Sequence, residues 1–220
     1  MSLTWNELWE ALVKAFGETA FMVGWSLLIS VVLGGVIGLF LFLTSNPLFI
    51  KNRVLNQFIG IIVNILRSVP FVILLVVLLP LTKWLVGTTI GPKAVVVSLA
   101  FTATAFYARL AEGSFSDVPR GILEAASATG AHPFDIVVRI LLPEALPQLI
   151  SGITVTAISL IGYSAMAGTV GGGGVGDLAI RYGYQRYQTA VLGICVVLLI
   201  ILVQIIQHLG ETAARKANRR

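Results

Sequence analysis

The sequence predicts an all-α integral membrane protein, and three observations carry that prediction. First, 57% of its 220 residues are hydrophobic and 11% are charged, with a mean hydropathy of +0.93; a soluble domain carries about 25% charged residues. Second, the apolar residues fall in runs close to the roughly 20 needed to cross a bilayer as helix, rather than in strand-length pieces broken by turns. Third, the basic residues behind the net charge of +5 cluster beside those runs. There they read as topology signals and lipid-headgroup contacts, not as a surface for nucleic acid.

About five spans follow in order. The first is expected near Thr19–Thr44 and carries Gly34-x-x-x-Gly38, a spacing that lets helices approach closely. The residues before it, "MSLTWNELWEALVKAF", are acidic and lack the basic opening of a cleaved signal peptide, so this helix is expected to remain. The second span, near Val54–Leu81, contains Pro70, which cannot donate a backbone hydrogen bond and should bend the helix about midway. The third, near Ile90–Leu110, is rich in Ala and Thr, as a face between helices would be. A polar insert of about residues 111–143 separates it from the fourth span, near Glu144–Val170. Then comes a glycine run, Gly171–Gly174, expected to be an extracellular turn or gate loop. The fifth span, near Thr189–Leu209, leads to the basic tail "ETAARKANRR". With no internal repeat and no low-complexity linker, residues 1–220 read as one transmembrane domain. The single cysteine, Cys195, has no partner for an internal disulfide.

The insert is punctuated as two helices. Ser116 or Asp117 can cap the first, Pro119 suits its first turn, and Gly130 suits a left-handed stop. Pro133 then opens a second helix, with Asp135 favoured near its positive end, running towards the membrane as far as Pro143. Ile122, Leu123 and Ala126 recur on one face, as do Ile136, Val137 and Ile140, while Arg120, Glu124, Asp135 and Arg139 fall elsewhere. A hairpin lying on anionic lipid would be richer in Lys and Arg, so its near-neutral balance points to a protein partner.

Orientation follows from the basic residues flanking the spans. If the tail is cytoplasmic, Lys51, Arg53, Arg109, Arg120, Arg139, Arg215, Lys216, Arg219 and Arg220 lie inside. Lys14, Lys83, Lys93, Arg181 and Arg186 lie outside, and this asymmetry puts the N-terminus outside and both the insert and the C-terminus inside.

The chemistry of common enzyme sites is missing. No lysine follows a glycine, so the chain has no P-loop for nucleotide phosphates. "GYSAMAG" departs from a nucleophile elbow by placing Met166 at the second glycine, and His132 and His208 are too isolated for a metal cluster or triad. No catalytic, metal-binding or nucleotide-binding residue is expected, and no cofactor. What remains inside the membrane is a small polar set. Arg67, Phe71 beside the proline, and Tyr163, Ser164 and Met166 on the fourth span are candidates for a passage or gate. A charged residue at that depth should face protein, water or the interface.

The order Glu124-Ala125-Ala126, three residues, Gly130, nine residues, Ile140, one residue, Leu142-Pro143 resembles the EAA loop of bacterial ABC-importer permeases. The segments "NILRSVPFVILLVVLLPLT", "GPKAVVVSLAFTATAFYARL" and "LIGYSAMAGTVGGGGVGDLAIRYGYQRY" extend the resemblance to permeases of D/L-methionine uptake, over nearly the whole chain. The resemblance implies a type I importer fold whose cytoplasmic loop, with Glu124, Ala125, Ala126, Gly130, Pro133, Phe134 and Arg139, docks on an ATPase. It further implies a homodimer in the bacterial inner membrane, two ATPase subunits that bind the ATP, and a substrate-binding (lipo)protein outside. A permease for another amino acid or small solute, or a secondary transporter, are the alternative readings.

Overall fold

The computed structural model describes residues 5–218, and these contain helices and turns but no strand. Arg219 and Arg220, counted above for orientation, lie outside the described residues. Four helical runs are long and apolar enough to cross a membrane, and a bent pair makes a fifth if counted as one span.

Helix α1 (Trp5–Ser45) begins well before the expected Thr19. Its 41 residues reach about 60 Å, roughly twice a hydrocarbon core. The reason lies in its first turns, where Leu8, Leu12 and Ala15 are buried against Val175, Leu178, Val191 and Cys195. Tertiary packing therefore extends the helix past the apolar run that hydropathy detects. Gly34 and Gly38 form a packing face against α5 (Pro92–Ser116). A Cβ on Gly38 would sit 2.5 Å from the Ala108 carbonyl oxygen, and one on Gly34 would sit 2.8 Å from that of Thr104.

The second span is broken, not kinked. Helix α2 (Arg53–Ser68) and α3 (Phe71–Val77) meet at 107°. Val69 (φ −82°, ψ 127°) and Pro70 (φ −56°, ψ 136°) are both extended. Proline lacks the N–H that would continue the ladder and excludes α geometry from the residue before it, so both effects fall on one peptide. Helix α4 (Leu79–Val86) completes this segment and ends at left-handed Gly87.

Helix α5 runs past the expected Leu110 to Ser116, so the polar insert starts later than its composition suggests. Neither Ser116 nor Asp117 caps the next helix, α6 (Arg120–Ala128). The Ser116 hydroxyl donates back to the Glu112 carbonyl at 2.8 Å, and Pro119 takes the capping position without a side-chain bond. Gly130 (φ +78°) does end α6, with Ala131 N–H to the Ala126 carbonyl and Gly130 N–H to that of Ser127. That pair of bonds is a Schellman stop, which calls for a left-handed residue. Helix α7 (Pro133–Ile136) continues through a π turn (Val137–Leu141) into α8 (Leu142–Ala167) without a stop at Pro143 or Pro147. The wider π turn takes up the register just before Pro143, whose missing N–H would otherwise interrupt the helix. After a 3₁₀ turn (Gly168–Val170) come α9 (Gly174–Leu178), a π turn (Ala179–Tyr184) and α10 (Thr189–Ala217).

The molecule thus has two ends. The start of α1 packs with α9 and the start of α10 at one. At the other, Phe42 near the end of α1 packs with Phe115 of α5 and the hairpin. Asn218 lines a crevice there with Asp117, Pro119 and Glu144. The first turns of α1 are therefore opposite the hairpin, and the end of α10 lies beside it.

Candidate functional site

The hairpin of α6 and α7 has an apolar base and an open tip. Leu123, Ile136, Val137 and Leu141 are buried among Phe42, Tyr107, Phe115 and Val118, so the hairpin is fixed to the ends of α1 and α5. Its outward positions are different. Glu124, Ala125, Gly130, Pro133, Phe134 and Arg139 are exposed, and Ala126 is half-buried. Arg139 pairs with Asp135 (Nε–Oδ1 3.2 Å) in the open, where such a pair adds little stability. His132 accepts the Phe134 N–H at 3.3 Å and so closes the start of α7. Phe134 itself is 68% exposed, and Ile122 and Val138 also face outward. Large apolar side chains on a fixed, mostly polar projection suit a groove on another protein.

A second site lies at mid-depth. The break in the second span opens a cavity of about 460 Å³ lined by Arg67, Phe71, Tyr163 and Met166, with Thr102 and Phe106 of α5. Four of the five passage candidates therefore come together. Phe71 and Tyr163 stack across it, ring centroids 5.2 Å apart and planes at 21°. The fifth, Ser164, is placed elsewhere: it is buried, and its hydroxyl donates to the Ile161 carbonyl at 2.8 Å within α8. One residue along a helix turns a side chain by about 100°, enough to move Ser164 off the face that Tyr163 presents. Ser68, also in the cavity wall, donates to the Asn64 carbonyl at 2.8 Å. The guanidinium of Arg67 has no hydrogen-bond or ion-pair partner among the described residues.

Sequence reasoning missed Thr102 and Phe106, although their i, i+4 spacing puts them on one face of α5. It also missed Arg109 as a cross-brace. One guanidinium nitrogen holds Glu112 at 2.6 Å and another donates to the Gly60 carbonyl of α2 at 2.9 Å. The Arg-x-x-Glu spacing at the end of an apolar helix was the available signal.

The glycine run is a clasp. Glu18 of α1 accepts the Gly174 N–H at 2.8 Å, Thr19 accepts that of Val175 at 3.0 Å, and Gly91 N–H meets the Gly171 carbonyl at 3.1 Å. Gly173 (φ +81°) and Gly174 (φ +83°) are left-handed, and a Cβ on either would press on Glu18 or Thr19.

The chain matches the family described as binding-protein-dependent transport system inner membrane component over residues 30–216. It is 45% identical over 211 residues to the "Probable D-methionine transport system permease protein MetI" of Vibrio cholerae, spanning 96% of this chain and 94% of that one. It is also 45% identical over 180 residues to the methionine import system permease protein MetP of Bacillus subtilis, 82% of this chain and 81% of that protein. Its fold matches a chain of the MetNI methionine ABC transporter, solved in inward-facing conformations, with a TM-score of 0.95 and 42% identity over 99% of this chain and 100% of that one. An amino acid ABC transporter crystallised with histidines shares the fold alone, at 16% identity and a TM-score of 0.79 over 98% and 100%.

Proposed function

The chain belongs to the family of binding-protein-dependent transport system inner membrane components, and from that premise we propose that it is the permease subunit of an ATP-driven methionine importer. Two copies form the passage in the bacterial cytoplasmic membrane. The N-terminus lies outside, and the hairpin and C-terminus lie in the cytoplasm. Each hairpin engages one separate ATPase subunit, and a substrate-binding protein delivers D- or L-methionine from the far side. The permease catalyses no reaction and needs no cofactor; ATP is bound by its partner.

The observation that carries this reading is the pairing of an anchored hairpin with an exposed Glu124–Phe134 tip. A chain without a P-loop needs such a part to receive work from another subunit. Moving a two-state transporter from 1:99 to 99:1 takes about 5.5 kcal/mol of differential binding. A flexible loop would dissipate that bias, whereas buried Leu123, Ile136 and Val137 pass a push at the tip directly to α5 and α8. Docking at Glu124, Ala125, Ala126, Gly130, Pro133, Phe134 and Arg139 then switches the cavity at Arg67, Phe71, Tyr163 and Met166 between inward and outward access.

The test is ATP-dependent uptake of labelled methionine by liposomes holding the permease, its ATPase and the binding protein, with other amino acids as competitors. Methionine uptake that requires all three components is expected. No uptake of methionine, with uptake of a different solute, overturns the substrate assignment; uptake without the ATPase overturns the energy source.

A further inference from the structure

Given that reading, we infer that the cavity at the α2–α3 break is a subsite for an amino-acid zwitterion, with Arg67 as the anchor for its carboxylate. The depth of the cavity is the first reason. Thr102 and Phe106 each lie ten residues from an end of the 25-residue α5, which puts the site about 15 Å from either end of that helix. A guanidinium held there without a counter-ion is costly and persists only where water or a ligand can reach it. Arg67 meets that condition, because it is exposed to a cavity of about 460 Å³ and has no protein acceptor among the described residues. This volume falls within the roughly 300–1,000 Å³ of small-molecule sites.

The second reason is the wall around it. Among the described residues no acidic side chain lines the cavity, so none of them competes for the guanidinium. A carboxylate matches its planar donors in two parallel bonds. The ammonium end of the same ligand finds acceptors in the hydroxyl oxygens of Ser68 and Thr102 in the cavity wall, because each spends its own proton on a carbonyl of its helix, that of Asn64 and of Ser98. The side chain then meets an apolar wall of Phe71, Tyr163 and Met166. Sulfur beside aromatic rings and a second thioether is a favourable contact. The three parts match one ligand class: an α-amino acid with an unbranched, uncharged side chain.

The experiment uses the permease–ATPase complex with its binding protein in liposomes. Arg67→Gln is expected to lower methionine uptake at least tenfold in a complex that still assembles, and Arg67→Lys to recover a substantial part. Arg67→Gln uptake within twofold of native overturns the proposal. A native complex that moves no methionine overturns the functional reading instead, so the two failures are distinct. Should Arg67→Gln fail to assemble, Ser68→Cys in the otherwise native chain decides, with maleimide labelling of the new cavity thiol as the readout. Protection by methionine but not by methioninol, which lacks the carboxylate, supports the proposal. Equal protection by both, or by neither, overturns it.

Discussion

The two ends of this molecule use glycine for opposite purposes. At the clasp, glycine is present because nothing larger fits. A Cβ on Gly176 would run into the Ala165 backbone, one on Gly168 into the backbone of Gly176 and Asp177, and one on Gly172 would lie 2.7 Å from the Ala167 carbonyl oxygen. At the hairpin, nothing lies within 4 Å of a Cβ on Gly130, and glycine is present for its φ of +78° alone. One end is interlocked backbone to backbone. The other is a shaped projection with free space around it, as the proposed docking of an ATPase requires.

The difference predicts a ranked set of stability effects. Gly176→Val is expected to be the most damaging, because backbone cannot move aside as a flexible side chain can. Overpacking costs about 1–3 kcal/mol, and an obstruction made of backbone belongs at or above the upper end. Thermal unfolding followed by size-exclusion chromatography should show aggregation or a large fall in Tm; a native profile would mean the clasp is looser than its geometry. Glu18→Ala comes next. It leaves the Gly174 N–H without its acceptor, for about 1–3 kcal/mol, while Glu18→Gln keeps an acceptor and should lose less. Hydrogen exchange at residues 171–176 measures the difference, and equal exchange in both variants would assign the clasp to packing rather than to this bond.

How much of this was legible in the sequence depends on the range of the interaction responsible. The Gly130 stop and the Pro133 start were readable because a left-handed turn and a first helical turn are settled within a few residues. The Gly34-x-x-x-Gly38 spacing was readable as a possible face, but only contact with Thr104 and Ala108 makes it one. The early start of α1 was not readable, because it depends on Val175 and Cys195, more than 150 residues away. Pro70 signalled a bend, yet its size of 107° follows from two consecutive extended residues. At the cavity, Arg67, Phe71, Tyr163 and Met166 could be chosen as chemically unusual for a membrane helix, whereas Ser164 could not be separated from Tyr163 without the helical phase.

Gly130→Val falls lower in the ranking than either clasp substitution. With no neighbour to strike, its cost is the left-handed penalty of about 1–2 kcal/mol, all of it at the hairpin turn. The protein should insert and purify with its ATPase in reduced yield, and methionine moved per ATP hydrolysed should fall several-fold. Normal stoichiometry in this variant would show that the turn need not be held in one shape.

Glu124→Lys has the smallest expected effect on the fold, and for that reason it separates the two ends most sharply. Glu124 is exposed on α6, and the buried contacts of this helix run through its neighbour Leu123. Exposed substitutions of this kind stay within about 0.5 kcal/mol, so thermal unfolding of the isolated permease should match the native protein. The reversed charge nonetheless sits where the ATPase is proposed to dock, and a misplaced rim charge changes association more than stability. Capture of the ATPase should therefore weaken, more so at low salt than at high salt because screening relieves the new repulsion. Uptake should fall along with capture. A variant that is natively stable, binds its ATPase with native affinity at every salt concentration and imports normally would remove Glu124 from the coupling surface. A natively stable variant that cannot import would show that the gripped end can fail while the interlocked end, and the fold it secures, stays whole.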